Sequence, residues 1–176
     1  MQIQRLKLLA AGAKLQADGV LGEQLNVDWS IEAPDLKKLL PNAKGHLSAT
    51  GALRGPPQKL QLQAELQGRE LQFDAHQIAN IDADIDVDLS AQKASTIDLQ
   101  ASGLYLAGQR WQQLSLNGKG TPAQHQLTVD LDQGPVELKL ALGGSWLESI
   151  WNGAISQLDL TQELAGPWRL QQPVTL

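Results

Sequence analysis

Four aspartates at alternate positions, Asp82, Asp84, Asp86 and Asp88, form the densest set of ligating side chains in the 176-residue chain. Their order matches the opening of a calcium-binding loop. That loop also needs Gly at its sixth position and Glu at its twelfth, where this chain has Val87 and Lys93. In extended backbone, alternate carboxylates stand about 7 Å apart, too far for neighbours to grip one ion. The three histidines, His46, His76 and His125, fall in unrelated turns or strand ends without metal-ligand spacing, and no nucleophile elbow occurs. Gly118-Lys119-Gly120 lacks the rest of a phosphate loop and a helix after it. With no cysteine, thiolate zinc sites, disulfides and thiol chemistry are excluded. No catalytic, metal or cofactor site is therefore expected, and the chain reads as non-enzymatic.

The aspartates instead describe a strand. From Asn80 to Ser90 they alternate with Ile81, Ala83, Ile85, Val87 and Leu89, which gives one dry face and one charged face. Four carboxylates on one face exclude burial on both sides, so one face of the sheet must meet water. The same device fills the chain. It appears in Leu25 to Ala33, in Leu47 to Leu53, in Leu60 to Leu66 and in Leu71 to Ala75. It returns in Ile97 to Ala101, Leu104 to Leu106, Leu114 to Leu116, Leu127 to Leu131 and Val136 to Leu142. Turns are expected at Gly55-Pro56-Pro57, Gly103, Gly108, Gly118 to Pro122, Gly134-Pro135 and Gly143-Gly144.

One stretch breaks the period. Between Pro34 and Pro41, the residues Leu36, Leu39 and Leu40 fall at helical spacing and predict a helix of about two turns near residues 35–40. Its leucine stripe is a candidate plug for an open end of the sheet, or a loop helix over a core edge. A weak repeat relates Leu47-Ser48-Ala49-Thr50-Gly51 to Leu114-Ser115-Leu116-Asn117-Gly118, each followed by Gly and Pro and another strand. Strand, turn, strand in succession is the form of a β-meander, elongated or solenoid-like.

Composition narrows the function. A net charge of −5 without a Lys/Arg cluster argues against nucleic acid, whose binding rests on neutralised phosphates. Hydrophobic residues make up 42% and aromatic ones only 4%, so the interior is lined by aliphatic chains, either a loosely packed core or a surface for acyl chains. The tryptophans Trp29, Trp111, Trp146, Trp151 and Trp168 are expected as large fillers of that interior and its caps. No apolar run is long enough to span a bilayer, and the opening is interrupted by charge, unlike a signal peptide.

The C-terminal stretch Trp151-Asn152-Gly153-Ala154-Ile155-Ser156, with Gly166-Pro167-Trp168-Arg169-Leu170 and Pro173-Val174-Thr175-Leu176, resembles the TamB family of Gram-negative envelope proteins. Leu36 to Gly55, with L-x-x-L-L-P, Gly45, Gly51 and Gly55, is similar to another of its repeating units. The resemblance implies an all-β fold, a β-taco: one long sheet folded lengthwise into an apolar trough. Residues 1–176 would then be a single β-taco segment of a longer periplasmic protein anchored in the inner membrane. It also implies the outer-membrane protein TamA as partner of the full-length protein, a link to assembly of autotransporters and other outer-membrane proteins, and phospholipid movement between membranes.

Three functions follow as expectations. In the first, a groove lined by Leu25, Val27, Trp29, Ile31, Leu60, Leu62, Ile81, Ile85, Val87, Ile97, Leu99, Leu127, Val129, Leu138 and Leu140 carries acyl chains, with Leu36, Leu39 and Leu40 as its end plug. The hydrophobic gain is about 0.8 kcal/mol per buried methylene. In the second, the chain chaperones unfolded outer-membrane protein clients by pairing with their strands at an edge. The third is a structural β-solenoid of an adhesin with a filled core.

Overall fold

The computed structural model describes residues 2–147, 150–163 and 166–176. The chain is a meander in which each strand pairs antiparallel with the next. The strands are β1 (Gln2–Ala10), β2 (Ala13–Val20), β3 (Leu25–Ala33), β4 (Ala43–Gly55), β5 (Gln61–Phe73) and β6 (His76–Asp88). They continue through β7 (Ser95–Leu106), β8 (Gln109–Thr121), β9 (Gln124–Asp132), β10 (Val136–Leu147), β11 (Ile150–Gln162) and β12 (Gly166–Arg169). The last strand, β13 (Val174–Thr175), returns to pair with β11. All thirteen belong to one sheet. At about 4.8 Å per strand, the path from β1 to β12 spans about 53 Å.

This is the all-β, single-sheet architecture expected of a β-taco. The described strands pair only with their neighbours along the meander and with the returning β13, so the sheet neither closes on itself nor coils as a solenoid with a filled core would. Among the described residues no second layer of structure covers either face. Val27, Ala33, Ala43, Ala49, Ala101 and Leu104 are buried, yet no described side chain is fully enclosed. Most apolar positions are half-buried, as expected for side chains packed only against neighbours on their own face.

The strands are longer than the alternation alone suggests, because the apolar parity changes within them. In β5 to β8 a transverse seam runs across the sheet. On one side of it Gly68, Ile81, Ala101 and Leu114 stand opposite one another, and on the other Leu71, Ile78, Leu104 and Trp111. Glu70 and Gly103 lie on this seam with φ of 52° and 60°. The register among these four strands is the same on both sides of the seam, so they change parity together, and the one-residue shift lies between β4 and β5, at Lys44/His46. Leu71 to Ala75 and Leu104 to Leu106, expected as separate strands, are thus the far ends of β5 and β7, except that β5 stops at Phe73 and Ala75 lies in the turn.

Several expected turns are strand interiors. Gly103 lies within β7, Gly118 and Gly120 within β8, and Gly143-Gly144 within β10. The turn expected at Gly108 is a tight one, Ala107-Gly108 (φ 49° and 79°), and Ala11-Gly12 (49° and 85°) makes another; the left-handed backbone of both matches the twist of the strands they join. The expected two-turn helix is a single 3-10 turn at Leu36–Lys38, capped by Asp35, whose carboxylate accepts from the Lys37 amide at 3.1 Å. Pro41 stops it before α-helical length is reached. Leu36 is half-buried, while Leu39 and Leu40 are exposed.

Candidate functional site

Antiparallel pairing sets the apolar residues in rows across the sheet. One row runs Trp29, Gly51, Ala64, Ile85, Ile97, Gly118, Leu127, Leu142, Ile155. The next runs Ile31, Ala49, Leu66, Ala83, Leu99, Leu116, Val129, Leu140, Leu158, and a third Ala33, Leu47, Gly68, Ile81, Ala101, Leu114, Leu131, Leu138, Leu160. Val27, Leu53, Leu62 and Val87 begin a fourth. The weak repeat acquires a meaning here. Leu47-Ala49-Gly51 and Leu114-Leu116-Gly118 occupy the same three rows on β4 and β8, four strands apart.

Of the residues read from the sequence, Val27, Trp29, Ile31, Leu62, Ile81, Ile85, Val87, Ile97, Leu99, Leu127, Val129, Leu138 and Leu140 stand in these rows. Leu25 and Leu60 lie at the ends of β3 and just before β5, both half-buried. Leu36, Leu39 and Leu40 stand apart, in the connection between β3 and β4. The rows also hold Leu53, Leu66, Leu114, Leu116, Leu131 and Leu142, which the sequence placed in strands but not in the lining. Their alternation was the signal that could have found them.

The opposite face is charged and wet. Asp84 and Asp86 are exposed, and Asp84 stands directly between Glu65 and Asp98, a set of like charges that strong solvation makes tolerable. Arg69 grips Asp82 through two hydrogen bonds of 2.9 and 3.1 Å, which hold the Asp82 carboxyl below its ordinary range. Asp88 departs from the expected solvated stripe. It is buried at the end of β6 and accepts from the Ser90 hydroxyl, the Ser90 amide at 2.8 Å and the Lys93 amide at 2.7 Å. The Ser90 hydroxyl is the main cause of its lowered pKa, outweighing the opposing effect of burial, with the backbone amides adding to it. Its neighbours Leu89 and Ser90 lie in the turn, so the strand ends at Asp88, two residues earlier than the alternation predicts.

One end of the apolar face is built by tryptophan. Gly120, His125, Gly144 and Gly153 form a row with only one side chain in it, and the Trp151 ring lies across Gly144 and Gly153. A Cβ on Gly153 would come within 2.3 Å of that ring, and one on Gly144 within 2.7 Å. Trp151 Nε1 donates to His125 Nε2 at 2.7 Å, and His125 Nδ1 sits 3.3 Å from the Thr121 carbonyl oxygen. This is the physical content of W-x-G: the glycine is the seat of the ring two residues before it. Trp29 uses Gly51 in the same way, with a would-be Cβ 2.5 Å from the ring. The filler role expected of the tryptophans suits these two, while Trp146 and Trp168 are more than half exposed.

The family model described as TamB, N-terminal domain, matches residues 1–176. The chain belongs to the TamB family. Among relatives of the family, the translocation and assembly module subunit TamB of Haemophilus influenzae is 24% identical over 147 residues, 82% of this chain and 11% of that protein. The chain thus spans about a ninth of that TamB protein's length. No solved structure matches it. No helix among its described residues is long and apolar enough to cross a membrane.

Proposed function

We propose that the chain is a non-enzymatic periplasmic segment whose apolar face carries lipid acyl chains between the inner and outer membranes. The observation behind this is the set of continuous apolar rows, open on one side, with charge and water confined to the other. An acyl chain lying across these rows hides apolar surface at roughly 25 cal/mol per Å² and leaves no polar group without a partner. Residues 1–176 form one unit of this path in a longer protein anchored in the inner membrane. Through that protein the segment supports assembly of outer-membrane proteins and autotransporters with TamA. Leu36, Leu39 and Leu40 cover one end of the face on this reading, so Leu39→Asp raises uptake of a fluorescent fatty acid. Unchanged uptake would reduce them to a surface turn.

Edge pairing with client strands has one supporting feature. The outer edge of β1 pairs with no described strand. A proline within β1 would weaken client cross-linking if this edge were used, and leave it unchanged if it were not.

Native mass spectrometry of the purified chain tests the main reading. Phospholipid or fatty acid carried through purification, and lost in Ile85→Arg, is the expected result. A chain that holds no lipid or detergent under any condition would overturn the conduit.

A further inference from the structure

We propose that His125 and Trp151 form a latch that acid releases: protonation of the imidazole frees the indole ring from its glycine seat at one end of the apolar face. The proposal does not depend on what that face carries.

The latch closes in one protonation state only. An indole Nε1 donates a hydrogen bond and cannot accept one, so His125 Nε2, 2.7 Å away, must offer its lone pair. The proton of the neutral imidazole is then on Nδ1, which sits 3.3 Å from the Thr121 carbonyl oxygen, a group that only accepts. The two partners thus leave a single tautomer. A second proton has one place to go, Nε2. Two N–H groups then face each other across 2.7 Å with no acceptor between them, and one must leave.

The surroundings decide which. The Nδ1–H bond to Thr121 survives protonation and becomes charge-assisted, so the imidazolium stays. The indole has no other polar atom, and what remains to it is contact with Gly144 and Gly153. Nor does the cation attract the ring where it stands. The ring centroids are 6.3 Å apart with planes tilted by 36°, and the indole presents its N–H edge, the positive part of its quadrupole, instead of its face.

The neighbouring strands supply no counter-charge. On β8 the ionisable group lining the pocket beside His125 is Lys119, a like charge, and no carboxylate of a described residue lines that pocket. Thr121 to Gln124, Gly143 to Trp146 and Trp151 to Gly153, the stretches of turn, β10 and β11 beside the imidazole, hold no ionisable side chain, and β9 itself holds no other before Asp130. The pocket, open and about 530 Å³, gives the released ring room to turn. The sheet stays in place, because β8 to β11 remain paired by their backbones and the Trp146 amide keeps its 2.8 Å bond to the Pro122 carbonyl oxygen. His125 is half-buried, so protons reach it from solvent. The bond is present while the imidazole is neutral and is lost as the pH falls through its titration, in the range of about pH 5–8 where histidine changes charge.

The test is an NMR titration of the whole chain, labelled in histidine and tryptophan, from about pH 8 to about pH 5. Trp151→Phe assigns the indole signal, and His46 and His76 are internal controls. The Trp151 Nε1–H resonance should move with the same midpoint as the His125 ring signals. Ring contacts to the Gly153 Hα protons should be lost at the acid end while the strand amides keep their positions. His125→Gln retains an acceptor for the indole but takes no proton, so its Trp151 signal should stay fixed. A Trp151 signal that ignores the His125 titration, or that still moves in His125→Gln, would overturn the latch. So would an imidazole that stays neutral down to about pH 5, or an indole that moves only when the whole chain unfolds. If His125→Gln does not fold, the two midpoints of the unaltered chain decide: coincident midpoints support the latch, and separate ones refute it.

Discussion

Replacing Gly153 by alanine adds one methyl group, and the structure gives that methyl no room. Its Cβ would stand 2.3 and 2.4 Å from Trp151 ring atoms and 2.6 Å from the Gly143 carbonyl oxygen. The ring must swing away, which also breaks its 2.7 Å bond to His125. Overpacking of this kind costs about 1–3 kcal/mol, and the lost hydrogen bond about 1 kcal/mol more. The sum, about 2–4 kcal/mol, lowers Tm by roughly 5–15 °C in a domain of this size. Gly118→Ala is the matched control on the same face: its Cβ meets only ordinary contacts at 3.6 and 3.8 Å. It should be neutral, or stabilising by up to about 1 kcal/mol through the stiffer unfolded chain. Urea unfolding followed by circular dichroism reads both, and the Trp151 indole N–H resonance reports whether the ring has moved. Equal effects of the two substitutions, or an unmoved indole in Gly153→Ala, would refute the view that W-x-G is a ring and its seat.

Further outcomes are expected. A double-mutant cycle with Trp151→Phe and His125→Phe should give a coupling of about 1 kcal/mol, and additive effects would deny the hydrogen bond a role. Because Asp88 is held below its ordinary carboxylate range, its contribution to stability is complete above about pH 4 and is lost as the pH falls through the lower, folded value. Asp88→Ala should therefore cost stability at pH 7 and flatten the acid limb of the urea midpoint, whereas an unchanged acid limb would exclude that role. Ile85→Arg should stay folded, at a cost under about 2 kcal/mol, because its guanidinium can reach water from an uncovered face. A loss of about 3–5 kcal/mol would signal an unpaired charge in a closed core.

The strands and their two-faced character were legible in the sequence because period two survives wherever one face is dry and the other wet. Leu25 to Ala33 is β3 to the residue, and the Asp82-Asp84-Asp86 face lies opposite Ile81, Ile85 and Val87 as read. Strand lengths were less legible. A change of apolar parity at Glu70 or Gly103 looks in sequence like the end of one strand and the start of another, although pairing continues across it in one register. Glycine misled for a related reason: Gly144 suggests a turn, but with Gly153 it seats a tryptophan that only the folded sheet brings over them. Asp88 belongs to the alternation by spacing and to the following turn by its hydrogen bonds, and the partners Ser90 and Lys93 decide which. The pairing of Trp151 with His125, 26 residues away, had no local signal at all.

The central claim, that lipid travels on the aliphatic face and not on the acidic one, is tested most directly by one photo-reactive residue placed at two adjacent positions of β6. Ile85 belongs to the apolar row between Ala64 and Ile97, and Asp84 to the wet face between Glu65 and Asp98. Irradiation in cells, followed by mass spectrometry of the recovered protein, should find phospholipid captured at Ile85 and none at Asp84. Equal capture at both positions, or none at Ile85 in a folded protein, would contradict the account.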